Sequence, residues 1–376
     1  MKELNKVKTS KRLESLDVLR GFDMIWIMGG YQFFGALSKV VDWNWVHVMA
    51  NQLSHVEWNG FHLFDLIFPL FMFITGVAIP FAITSKLDKG VSKRKLTIKA
   101  FRRMVVLILL GIVYNGSLMI DFTNTGFSEV RYASVLGQIG IAYFFATLIV
   151  INTSKIKVRI FWAIGILVAV TVLQLFTPVP GFGAGVLTPE GSINAWIDQH
   201  FLPGRLAYGP YDALGVLCVI SAIPITIIGS LAGNILRNIN VLPNKKVIIL
   251  SLSGFALITI ALAISPWYPV NKKIWTATFD LLTSGISLVL LSIFYFIIDV
   301  KGWKRGTLFF TAFGLNSITI YFGTKIISFS HTSRYLFDWL AKLSGEFSQV
   351  IIVLGVIFLE WLLLYFLYKK KIFLKV

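Results

Sequence analysis

Ten stretches of mainly apolar residues dominate this chain, at about 16–38, 61–85, 99–119, 132–151, 158–176, 211–236, 247–265, 277–298, 307–328 and 348–368. Each is close to the roughly 20 residues that a helix needs to cross a hydrocarbon core of about 30 Å. In lipid every backbone N–H and C=O must find its partner inside the protein, and for runs this long and continuous only helices satisfy that demand. The expected fold class is therefore all-α: a polytopic membrane protein of about ten transmembrane helices, a single domain over 1–376. Composition agrees. The chain is 56% hydrophobic and 14% charged, whereas soluble domains average roughly 45–50% and about 25%.

The charges that remain are unevenly placed. There are 35 Lys+Arg against 18 Asp+Glu, a formal net charge of +17. In a soluble protein such an excess suggests nucleic acid. Here the basic residues alternate from junction to junction. Five lie in the N-terminal segment 1–12, eight in 86–103, three each in 155–159, 237–246 and 301–305, and four in 369–375. The intervening junctions hold only Lys39, Arg131, Arg205, Lys272, Lys273, Arg334 and Lys342. Basic loops stay in the cytoplasm, so both termini are expected there, and a nucleic-acid partner is not.

The first apolar run follows a basic segment, as in a signal peptide. Asp17, Arg20 and Asp23 interrupt it, and Ala36-Leu37-Ser38 is a weak cleavage site, so it reads as an uncleaved helix. The single cysteine, Cys218, forms no disulfide framework and no metal pair.

The basic junctions are short. The opposite side carries two long loops, 39–60 and 177–210, rich in Trp, Gly, Pro and His, and all five histidines fall at or near it. Function concentrates in such loops. The spacing of His47, His55 and His62 fits no zinc signature, and no metal is expected. The turn-dense loop 177–191 is either a cap over an outer cavity or a plain connector.

Ionisable residues inside apolar runs are expensive and mark candidate sites. Asp17 and Arg20 share a helical face at i,i+3, as a structural pair or as an anion site. In His55-Val56-Glu57-Trp58-Asn59-Gly60-Phe61-His62-Leu63-Phe64-Asp65, His62 and Asp65 stand one turn apart, and a carboxylate there can orient an imidazole. His55 is a candidate general base or nucleophile. The alternative reading is an interfacial Trp/His cluster. Asp280, Asn316, Lys325 and Glu360 lie in later runs. Asn316 reads by default as an interhelical hydrogen-bonding residue.

Two stretches point to a family. Leu16-Asp17-Val18-Leu19-Arg20-Gly21 resembles the opening motif of multi-pass membrane acyltransferases. The stretch His55 to Asp65 with Phe68-Pro69 is similar to the signature of the heparan-α-glucosaminide N-acetyltransferase family. Pro178-Val179-Pro180-Gly181, Tyr211-Asp212, Pro269-Val270-Asn271-Lys272 with Trp275, Asp299-Val300-Lys301-Gly302 and Asn316-Ser317 follow in the same order.

The resemblance implies transfer of acetyl from cytosolic acetyl-CoA to the amino group of a glucosamine-type sugar or oligosaccharide across the membrane. It implies catalysis by His55 with Asp65 and Asn59, cofactor contacts at Arg20, Asn316 and Lys325, and acceptor contacts at Trp58, Asn271, Lys272 and Asp212. The setting implied is the inner membrane of a bacterium, with a homodimer as an allowed assembly. The rival readings are a transporter or exporter of a sugar or lipid-linked intermediate, with Asp280 and Lys325 as coupling residues, and an acyltransferase with another donor or an O-linked acceptor.

Overall fold

The computed structural model describes residues 13–116 and 126–373. The basic segment 1–12, the end of the third expected span at 117–119 and Lys375 fall outside the described residues. The first half of the chain forms α1 (Glu14–Ile25), α2 (Tyr31–Leu37), α3 (Asn44–Gln52), α4 (Leu63–Ile79), α5 (Ser85–Leu87), α6 (Lys93–Tyr114), α7 (Val135–Asn152), α8 (Ile156–Phe176) and α9 (Ile193–Phe201). The second half adds α10 (Val216–Ser221), α11 (Ile223–Arg237), α12 (Pro243–Ile264), α13 (Ala277–Phe294), α14 (Thr307–Leu315), α15 (Ser317–Ile326), α16 (Phe329–Leu343) and α17 (Ser348–Lys369). Among the described residues there is no strand, as the all-α reading requires.

Among the described residues seven helices are long and apolar enough to cross a membrane: Leu63–Leu87, Val135–Asn152, Ile156–Phe176, Val216–Arg237, Pro243–Ile264, Ala277–Val300 and Gly345–Lys369. The other three expected spans are helical over most of their described residues but too charged or too broken to join these seven, for separate reasons. The first carries Asp17, Arg20 and Asp23, and a π-turn over Trp26–Gly30, with Gly29 at φ 140°, joins α1 to α2. The third, α6, begins inside the basic run at Lys93. The ninth is broken at Asn316 into α14 and α15. There the Asn316 amide donates to the carbonyl of Ile372 at 3.2 Å.

Between apolar helices in lipid, close backbone approach and polar contacts replace the hydrophobic drive. The α4–α11 pair shows why small residues matter there. A Cβ on Gly76 would sit 2.1 Å from the Thr226 carbonyl oxygen, and one on Gly229 would sit 2.2 Å from that of Phe73. Glycines at these positions bring α11 hard against α4. Together with α7 and α13 these helices enclose the main core, around Phe73, Ile74, Val77, Ile225 and Phe279. The packing leaves one face of α4 unfilled, and that face carries the site.

Candidate active site

The site starts from the first turn of α4, where Asp65 has two tasks. One carboxylate oxygen accepts the N–H of His62 at 3.2 Å, which caps the helix. The other accepts from His55 Nδ1 at 2.7 Å and pairs with Lys272 Nζ at 3.2 Å. Asp65 thus reaches the imidazole ten residues back, and it meets His62 only through the backbone. The His62 ring instead donates from Nδ1 to the Ser54 carbonyl at 3.1 Å, fastening the loop that carries His55. Pro69 follows one turn later and lacks the N–H that would close on the Asp65 carbonyl.

Lys272 Nζ also lies 3.2 Å from His55 Nδ1. An ammonium only donates and a carboxylate only accepts. The shorter contact to Asp65 therefore puts the proton on Nδ1, and Nε2 is left with a free lone pair. The ring is 46% exposed while the carboxylate is 2% exposed. The chemistry-bearing atom faces open space and its orienting partner does not.

Lys272 is delivered by a self-closed loop. The Asn271 side-chain oxygen accepts the N–H groups of Lys273 and Ile274, and the Asn271 N–H donates to the Thr276 hydroxyl at 3.0 Å. Trp275 sits at a positive φ of 49°, locked edge-on between Phe68 and Phe279. Two cross-links tie this loop to the His55 loop: Asn271 Nδ2 donates to Asn59 Oδ1 at 3.0 Å, and Gly60 N–H donates to the Val270 carbonyl at 2.8 Å.

Burial of the Lys272 ammonium pulls it down to about 8, against the opposing pull of Asp65. The ion pair with Asp65 is therefore intact below about pH 8 and lost above it. Between that value and the ordinary lysine range the unfolded chain holds a proton that the folded chain lacks. In that window this group makes the fold more stable as pH rises, while the site loses its cation. An alkaline fall in turnover near pH 8 is expected. In Lys272→Arg, which stays charged, the fall should shift upward; identical profiles for the two proteins would show that Lys272 is not the group responsible.

His55 and Lys272 line a cavity of about 310 Å³ with Phe64, Ile67, Phe68, Phe71, Arg131, Tyr208 and Tyr321. Arg131 is held by a bidentate pair with the fully buried Asp212, both contacts at 2.8 Å. Asp212 also accepts the N–H groups of Ala207 and Leu214, which fix the carboxylate in place, and its hydrogen bond and negative charge hold the Arg131 proton more tightly than in a free guanidinium. Asp212, expected to touch the acceptor, is thus sequestered. It positions Arg131, which sequence reasoning missed. The available signal was a lone arginine on the charge-poor side just before a span.

On the basic side lies a larger cavity of about 990 Å³. Its lining includes Arg20, Lys86, Lys95, Lys99, Arg102 and Arg103, and no acidic residue among those described. The two cavities share Phe71, Ser317 and Ile318. Phe64, Ile67, Phe68 and Phe71 line the first, and Phe71, Thr75, Ala78, Ala82 and Lys86 line the second. These positions recur every three or four residues, so they form one stripe of the α4 helix and its extension. At about 1.5 Å per residue, Phe64 to Lys86 covers about 33 Å, a full hydrocarbon thickness.

The structure brings together some expected residues and separates others. His55, Asp65 and Lys272 converge, with Asn59 and Asn271 bracing the loops beside them. Trp58 does not line the cavity. Its indole N–H donates to the Leu187 carbonyl at 2.7 Å and its ring packs edge-on against Tyr211, so it fastens the 177–191 loop beside the His55 loop. Arg20 lies in the basic cavity and pairs with Asp17 at 3.7 Å. Asn316 is buried at the helix break between the cavity-lining Leu315 and Ser317. Lys325 lies in neither cavity. It lines a third, with its Nζ 5.0 Å over the Tyr114 ring.

No family model matches the chain. Heparan-alpha-glucosaminide N-acetyltransferase of Mus musculus is 28% identical over 430 aligned positions, covering 98% of this chain and 61% of the relative. The Homo sapiens enzyme of the same name is 27% identical over 424 positions, covering 97% and 60%. The chain is related to the heparan-α-glucosaminide N-acetyltransferases. It spans about three fifths of the length of those relatives. The similarity to the N-acetyltransferases covers nearly the whole of this chain.

Proposed function

We propose that the protein is a transmembrane acetyltransferase that takes acetyl from acetyl-CoA on its basic, cytoplasmic side and delivers it to the amino group of a glucosamine-type sugar on the other side. The observation that carries this reading is the α4 stripe joining a cavity of six cations to a cavity holding an oriented imidazole. The diphosphate and ribose phosphate of CoA are multiply anionic, and guanidinium and ammonium groups suit them. A pantetheine arm is long and narrow, and it would run beside Phe71, Ser317 and Ile318, which line both cavities.

At the far end His55 Nε2 supplies the lone pair. It takes the acetyl group itself or removes the proton from the attacking amine. In either case a C–N bond to the acceptor forms, the C–S bond breaks, and the amine proton ends on the CoA thiolate or in solvent. Lys272 and Arg131 bring fixed positive charge to the cavity where the tetrahedral oxyanion develops. Asp65 holds the ring in the working tautomer, as the carboxylate of a catalytic triad does.

The test is to incubate purified protein with acetyl-CoA and glucosamine and follow free CoA and N-acetylglucosamine. Stoichiometric formation of both is expected. Exchange of labelled CoA into acetyl-CoA without any amine would assign the acetyl-histidine route. A protein that neither binds acetyl-CoA nor releases CoA would overturn the reading in favour of a transporter.

A further inference from the structure

We infer that the third cavity is the port through which the amine-bearing acceptor approaches His55, with Glu360 as its counter-charge; this rests on the acetyltransferase reading. The cavity measures about 590 Å³ and lies between α2, the outer end of α15, the start of α16 and α17. Its rim is exposed and polar, with Gln32, Lys325, Ser328 and Ser330. Its floor is buried. There Glu360, 3% exposed and near the middle of α17, turns into the cavity, and its Oε2 has no hydrogen-bond partner among the described residues.

A carboxylate at that depth is expensive to leave unmatched. Among the described residues no ion pair involves Glu360, so its complement is a ligand that brings its own cation. Amides and hydroxyls at the rim suit a ligand rich in hydroxyls, and a buried acid suits an ammonium. An amino sugar has both.

Position connects this cavity to the chemistry. Phe64 and Ile27 line it and also line the His55 cavity. The Phe64 ring stands 4.8 Å from the His55 imidazole on one side and 5.4 Å from Tyr31 on the other. Phe64 and Ile27 thus form the wall common to the cavity that holds the acid and the cavity that holds the base. Rotation of Phe64 would join the two spaces, so that an amine held at Glu360 passes to His55 without entering the passage used by CoA. The donor and the acceptor then meet at His55 from different cavities. Lys325 serves the acceptor port rather than the cofactor cavity.

Two measurements test the assignment. In Glu360→Gln the KM for glucosamine should rise at least about tenfold, since one charge-assisted contact is lost, with the KM for acetyl-CoA unchanged. Equal changes in both, or none, would overturn it. The second needs no turnover. The only native cysteine, Cys218, is buried, so Gln32→Cys adds a single accessible thiol at the rim. Glucosamine should slow its labelling by a water-soluble maleimide several-fold, glucose should not, and the protection should vanish in Gln32→Cys/Glu360→Gln. Absence of protection by glucosamine overturns the port even if acetyl transfer is intact, whereas protection without any transfer would count against the enzymatic reading alone.

Discussion

Exchanging His55 for alanine is expected to lower kcat for acetyl transfer about a hundredfold to ten-thousandfold, the usual range for a positioned acid–base group. The KM for acetyl-CoA should hardly move, because the cavity proposed for the donor's phosphates lies on the other side of Phe71. Asp65→Asn should be nearly as damaging for a different reason. An amide facing Nδ1 leaves the ring free to take the other tautomer, and it removes the anion that pairs with Lys272 at 3.2 Å. Asp65→Asn should also weaken the start of α4, since Asp65 accepts the His62 N–H. A thermal midpoint a few degrees lower, with the kcat loss much larger than any lost folded fraction explains, is the expected pattern. Full acetyl transfer by the purified His55→Ala protein would remove the imidazole from the mechanism.

The second large effect concerns the donor. Lys99→Gln/Arg102→Gln/Arg103→Gln should weaken acetyl-CoA binding a hundredfold or more, taking about 1.5–3 kcal/mol for each hydrogen bond to a charged group and a partial share for each residue. These three side chains project from one face of α6 into the 990 Å³ cavity. The loss should be specific to the phosphates. S-Acetylpantetheine, which lacks them, should react equally well with the variant and the parent protein. Acetyl-CoA binding by the parent should fall with added salt, more steeply than in the variant. The same loss for both donors would mean that the substitutions act through the fold. The segment 86–103 keeps five of its eight basic residues, so the signal that orients the helices survives.

How far the site could be read beforehand depended on sequence distance. His55 and Asp65 lie in one motif, and both were legible as chemistry-bearing residues. Their pairing was not, because helical spacing favours His62 as the partner of Asp65. Asp65 occupies the capping position of α4, where one of its oxygens turns back to the His62 backbone and the other is left to point across at the preceding loop. No local pattern shows Lys272, which arrives from 217 residues beyond His55, or the pair between Arg131 and Asp212, 81 residues apart. Lys99, Arg102 and Arg103 were visible as part of the basic belt, but nothing local showed which of its residues share a cavity with Arg20.

The sequence by itself determined that the chain is a helical membrane protein, and that its basic residues gather on alternate junctions, because the costs of exposing backbone and of moving charge through lipid depend on composition over a window and on little else. The tertiary structure alone decided which residues share a cavity. Glycines at Gly76 and Gly229 let α11 close on one side of α4 and leave the opposite stripe open. That asymmetric packing places a belt of basic residues and a loop histidine, written at opposite ends of an apolar run, in two cavities that share Phe71, Ser317 and Ile318.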